Sequence, residues 1–223
     1  MKVQVLGVGN AFSPELGNSS VIIWENTGNG FLIDCGFTIF PELKELNLLH
    51  RVSKFFLTHR HMDHSGSLDT FLYYKRFILN QKVSFFGFAD HIEFLKMIDP
   101  KFDTEAEDYF NMTEEQRINT IPTKQDYIPS DAFFNYGVLY SGDTSQSLLD
   151  TPEATDARLV LHEVCFGNNS MHTSFEDLKR ASNVVKAKTH LYHYGSGDYE
   201  KYNETVMHHG FAGMLRKGEL LEI

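Results

Sequence analysis

The sequence predicts an α/β fold built as one domain over residues 1–223, and three observations carry that expectation. The first third is a succession of β-rich runs broken by Gly, Asn and Ser. The remaining two thirds alternate strand-like runs with segments of helical period. At 223 residues, 42% apolar and 13% aromatic, the chain has the material for a substantial core and stays within the length usual for one domain.

Taken in order, "VQVLGVGNAF", "SSVIIWENTGNGFLIDCG" and "VSKFFLTH" read as strands, and "ENTGNG" supplies the turn of a hairpin. "SLDTFLYYKRFIL" has apolar residues at helical spacing, "KVSFFGF" reads as a strand, and a second helix is expected from Asp90 to Ile98. The acidic segment Pro100 to Arg117 has no clear period and reads as a surface helix or an insertion over one face. Beyond it, "AFFNYGVLYSGDT" forms a hairpin ending in a loop, and "ARLVLHEVCFG" a buried strand. "SFEDLKRASNVVKA" is expected to be a helix with Ser174 as its N-cap, and "THLYHYGS" a strand running into a loop. The tail "HHGFAGMLRKGELLEI" gives a bend at glycine and a final strand, and no repeat or linker divides the chain.

Composition narrows the classes. No apolar run approaches the roughly 18 residues that span a bilayer, and Met1 opens directly onto a strand-like run, so a cytoplasmic protein with no membrane partner is expected. Cys35 and Cys165 lie far apart in apolar settings, which suits buried free thiols. The net charge of −10 argues against a broad phosphate-gripping surface. A small phosphate substrate held by metal ions remains compatible with it.

The segment "FFLTHRHMDHSG" places His59, His61, Asp63 and His64 within six positions, directly after an apolar strand. Side chains at His59 and His61 project to one side of an extended chain, and Asp63 and His64 follow where it turns. Such crowding has no packing rationale and would gather like charges at low pH, so metal binding is the better reading. Imidazole and carboxylate donors suit Zn foremost, with Mn or Fe as alternatives, and a two-metal site needs a bridging carboxylate. Asp143, after the strand in "LYSGDTSQ", offers the bridge, and His193 in "HLYHYGS" closes the set. The remaining His50, His91, His190, His208 and His209 read as ordinary surface histidines.

"THRHMDHSG" resembles the H-x-H-x-D-H signature of the metallo-β-lactamase superfamily, with "LGVGNAF", "LGNSSVII" and "FLIDCG" similar to its opening strands and Asp34 at its early aspartate motif. The resemblance implies a four-layered αβ/βα sandwich with a metal site at one edge. "YSGDT" has Asp143 where lactamases of the superfamily commonly carry cysteine, and "LVLHEVCFG", "MHTSFEDLKRAS" and "HLYHYGS" are similar to the late motifs of ribonuclease Z and related phosphodiesterases. The implied activity is hydrolysis of a phosphodiester, in a small or cyclic nucleotide or at an RNA 3′ end, by metal-activated water. Two divalent ions would be held by His59, His61, Asp63, His64, Asp143 and His193. Asp63 would also orient the nucleophile, and His172, its imidazole held by Glu163, would protonate the leaving oxygen. A homodimer is implied by the same resemblance. The alternatives are a thioester or lactone hydrolase of this fold, or a metal-binding regulatory protein without turnover.

One departure weakens the match: the family's metal-ligand histidine between the signature and the bridging aspartate is absent, and "IPTKQDYIPS" has Gln125 or Asp126 near that position. A retained but weaker first metal site is therefore expected. No basic or Gly-rich arm for gripping folded RNA is evident, and the stretch Asp103 to Glu115 has the wrong sign. A cyclic nucleotide thus fits better than a transfer RNA.

Overall fold

The structure is a computed structural model in which residues 1–86, 93, 96–97, 119–125, 128–167 and 170–223 are described. Two six-stranded sheets face each other. The first has the order β12-β1-β2-β3-β4-β5, from β1 (Lys2–Gly7), β2 (Ser20–Trp24), β3 (Gly30–Ile33), β4 (Val52–Phe56), β5 (Ser84–Phe86) and β12 (Leu220–Glu222). The second has the order β11-β10-β9-β8-β7-β6, from β6 (Asn119–Gln125), β7 (Ile128–Asn135), β8 (Val138–Tyr140), β9 (Leu159–Glu163), β10 (Thr189–Tyr192) and β11 (Gly213–Met214). Helices cover the outer faces, so the layers run αβ/βα, as the superfamily resemblance implies.

The central strands β2 and β3 of the first sheet are apolar on both faces because both are covered. Val3, Val5, Ile23, Phe31, Ile33 and Phe56 enter the core between the sheets. Leu6, Ile22, Leu32 and Phe55 lie under the helices Ile39–Glu45 and Leu68–Tyr73. Phe133 of β7 meets Phe31 and Phe56 at ring-centroid distances of 5.3 and 5.5 Å, stitching one sheet to the other with edge-on aromatic contacts. At the far end, Tyr136 at the tip of the β7–β8 hairpin donates to Glu25 at 2.6 Å, and Glu25 also holds Lys54.

Several local expectations hold. The "ENTGNG" turn joins antiparallel β2 and β3, with Gly28 N–H donating to the Glu25 carbonyl at 2.9 Å. Ser174 caps a helix, its hydroxyl accepting from Asp177 N at 3.1 Å. That helix is shorter than its period suggests. It stops at Leu178, and Ser182 caps a second one, Asn183–Lys186, because a capping hydroxyl inside the run offers the backbone a new start. The helix Asp198–His208 is not among the sequence expectations: its inward stripe is only Tyr199, Tyr202 and Val206, and Val206 alone is buried. The expected helix Asp90–Ile98 and the acidic segment 100–117 lie essentially outside the described residues, as do His91 and Asp126. No described helix is long and apolar enough to cross a membrane.

Candidate metal centre

The predicted ligands come from the carboxyl ends of strands in both sheets, the end of an α/β sheet where loops converge. Asp34 follows β3, His59 and His61 follow β4, Asp143 follows β8 and His193 follows β10. Asp63 and His64 sit on the short helix Met62–Ser65, whose turn is fixed by Ser65 Oγ donating to the carbonyls of Arg60 and His61, both at 3.1 Å.

Asp34 is wholly buried and takes a left-handed φ of 62°. Its Oδ1 accepts from Thr58 N at 2.8 Å, and its Oδ2 accepts from His64 Nδ1 at 2.7 Å. Anchored this way, His64 must present Nε2 to the site. Gly36, two residues on, has no room for a side chain: a Cβ there would lie 1.9 Å from the Asp63 carbonyl oxygen. The "DCG" stretch is therefore a bed on which the signature loop rests. Gly142 does the same from the other sheet, with φ 59° and a would-be Cβ 2.9 Å from Thr58 Cβ, so the β8 end presses against the His59 loop and delivers Asp143. His193 also has a left-handed φ, 65°, and its N–H donates to the Val8 carbonyl at 2.8 Å, clipping the end of β10 to the end of β1.

Among the described residues, Asp143 belongs to each group that could hold an ion. His59, His61 and Asp143 form one set; Asp63, His64, Asp143 and His193 form a second; Asp143, Glu163, His172 and His193 form a third, each with donor atoms within 4.8 Å of one another. His64 Nε2 is 3.2 Å from Asp143 Oδ1, and His193 Nε2 is 3.3 Å from Asp143 Oδ2 and 3.4 Å from Asp63 Oδ2. Glu163 is spoken for: its Oε1 accepts from Thr144 N at 2.7 Å and Thr173 N at 3.1 Å, and its Oε2 accepts from His172 Nδ1 at 2.7 Å. The six predicted ligands thus converge, with Asp143 placed to bridge. His172 and Glu163 form a dyad beside them. Gln125 ends β6 and Asp126 lies outside the described residues; among the described residues the first set offers three protein donors and the second four.

The charges fit a cation. Burial works against ionising His64, yet Asp143, Asp34 and Asp63 around it raise its proton affinity well above the ordinary imidazole range. Burial likewise opposes charge on Asp143, but His193 and His64 hold it well below the carboxylate range. For His59, burial first and then the neighbouring His64 disfavour the protonated ring, which keeps it a neutral ligand. His64 Nε2 is buried, and with Nδ1 committed to Asp34 it faces the carboxylates of Asp143 and Asp63 at 3.2 and 3.5 Å. Either a proton on Nε2 or a cation among these groups offsets the negative charge gathered there, and a divalent ion would take the proton's place.

A chain with two opposed mixed sheets and this donor set at one edge has the metallo-β-lactamase fold. Its structural neighbours include the metallo-β-lactamase fold protein YhfI from Bacillus subtilis, at TM-score 0.74 and 16% identity over 100% of this chain and 99% of that one. Human tRNase Z short form (ELAC1) superposes at TM-score 0.67 and 19% identity, covering 100% and 99%. Within that class the chain belongs to the Anti-Pycsar protein Apyc1 family, whose profile matches residues 1–221. Apyc1 of Saccharibacillus brassicae is 26% identical, over 100% of this chain and 97% of the relative, and that of Paenibacillus harenae 27% identical, over 87% and 90%.

Proposed function

We propose that the protein is a metal-dependent phosphodiesterase acting on small cyclic nucleotides. The observation that carries this reading is the His172–Glu163 dyad set beside the ligand cluster. Burial lowers the proton affinity of His172, but the Glu163 hydrogen bond and charge outweigh it and lift its pKa to about 9. The ring is therefore protonated at neutral pH, with Nδ1 on Glu163 and Nε2 left to donate. A proton donor is what departure of a poor alkoxide leaving group requires.

His59, His61 and Asp143 would hold one divalent ion, and Asp63, His64, Asp143 and His193 a second, with Zn favoured by the donor set. When bound, the ions supply positive charge for the phosphoryl oxygens and activate water. Asp63 accepts a hydrogen bond at the cavity side of the cluster and serves to orient the nucleophile. Glu163, fixed by two backbone N–H groups, holds the protonated His172 ring by Nδ1 so that Nε2–H is the end left to donate.

The cavity over the cluster has a volume of about 610 Å3, and no Lys or Arg is among its described lining residues. An RNA backbone or a nucleoside diphosphate brings several negative charges for which these described residues offer no basic partner. A diester with a single charge does not. The test is hydrolysis of 3′,5′-cyclic nucleotides and bis(p-nitrophenyl) phosphate by metal-stripped protein reloaded with Zn or Mn, beside an Asp143→Ala control. Metal-dependent turnover that the control lacks supports the reading. Full metal loading without turnover of any phosphodiester overturns it in favour of carbonyl hydrolysis or a binding role.

A further inference from the structure

Large apolar side chains gather at the mouth of the metal-centre cavity without being buried there. Phe12 is 92% exposed, Phe37 and Met62 each 55%, and Met171 40%, and all four line the cavity. A phenyl ring left in water forgoes the gain of burial, so two of them beside one opening call for an occupant.

Both rings stand on pinned turns. Asn10 Oδ1 accepts from Phe12 N at 3.0 Å, Ser13 N donates to the Asn10 carbonyl at 3.2 Å, and Asn10 N donates to the Tyr194 carbonyl at 3.3 Å. Ser13 Oγ in turn accepts from Ser196 N at 3.1 Å, so the Phe12 turn is tied on both sides to the loop that carries His193. Phe37 follows Gly36 and lies over Gly66, where an added Cβ would be 2.6 Å from the ring. Asn18 and Thr38 brace its backbone reciprocally, Asn18 N donating to Thr38 Oγ1 at 2.8 Å and Thr38 N to Asn18 Oδ1 at 3.1 Å. One ring thus stands on the His193 side of the ligands and the other on the Asp63 side.

We propose that Phe12 and Phe37 form the base subsite, gripping the flat, uncharged base of a cyclic nucleotide by stacking while its phosphate meets the metal ligands. This rests on the phosphodiesterase reading above and adds which residues hold the rest of the substrate. The occupant follows from complementarity: carboxylates and histidines fill the floor, no described cation lines the wall, and the rim is apolar and aromatic. Stacking accepts any base, because every base presents a π face.

The experiment compares steady-state hydrolysis of cyclic CMP with that of methyl riboside 3′,5′-cyclic phosphate, the same ring system without a base. For the metal-loaded Phe12→Ala protein, KM for cyclic CMP should rise about tenfold, equivalent to about 1.4 kcal/mol. Its kcat, and both constants for the baseless substrate, should stay within about twofold, and Phe12→Trp should restore the wild-type KM. Phe12 is almost fully exposed, so folding is not at issue. An equal loss on both substrates, or no change on either, overturns the proposal. So does an unchanged KM with a shifted sedimentation mass, which would show the ring covering a second copy of the chain. Wild-type protein that cleaves neither substrate removes the parent reading and this one with it, a result distinguishable because it appears before any substitution.

Discussion

Asp131 lies in β7 on the face that carries Phe133 into the core, with 0% exposure and no hydrogen-bond partner on either carboxyl oxygen. Burial alone pushes its pKa from 3.8 up to about 8. Folding therefore takes up a proton between these values, and the fold loses stability as pH rises from the unfolded value through the folded one. Each pH unit in that window costs about 1.4 kcal/mol. At pH 7 the accumulated cost approaches about 4 kcal/mol, an upper bound because local opening that admits water limits it. Asp131→Asn keeps the shape and removes the ionisation. Urea unfolding of wild type and variant, run in parallel from pH 5.5 to 7.5, should show the variant gaining about 2–3 kcal/mol on the wild type across that range. A constant difference between the two would show that Asp131 is ionised in the folded protein and refute the reasoning.

Asp34→Asn should leave the fold standing but loosen His64, lowering metal affinity about 10- to 100-fold as read by competition with a chromogenic chelator. His172→Ala should slow a substrate with a poor leaving group far more than one releasing nitrophenolate; equal losses would remove its role as proton donor. With the wild type, turnover of the poor-leaving-group substrate should decline as pH rises toward about 9, where His172 gives up its proton, bound cations moving that limb lower. Gly142→Ala combines a left-handed φ with a clash against Thr58, and should cost about 1–3 kcal/mol in denaturant unfolding together with a loss of bound metal.

The ligand cluster is legible in the sequence because its spacing is local: a strand, then His59, His61, Asp63 and His64 before the next turn. Asp143 and His193 can be read as well, each a ligand-type residue just past an apolar strand. What sequence does not reveal lies in contacts between distant segments. Val8 holding His193, Gly142 seated on Thr58, and Thr144 and Thr173 fixing Glu163 are backbone contacts that leave no pattern in residue type. The helix Asp198–His208 escapes because it buries so little, and the break at Ser182 because apolar spacing continues through it. Phe12 is one more aromatic in a Phe-rich chain until its exposure at the cavity mouth singles it out.

Asp143, with Glu163, His172 and His193, comes from the second sheet, while His59, His61, Asp63 and His64 come from the first. Neither half of the chain owns a complete ligand set, so an ion held by these groups would also latch the halves together. A polypeptide nicked between residues 86 and 119 would keep its two fragments together more tightly with metal than without. Metal supply would then govern how long a cleaved or newly made chain survives as one working unit.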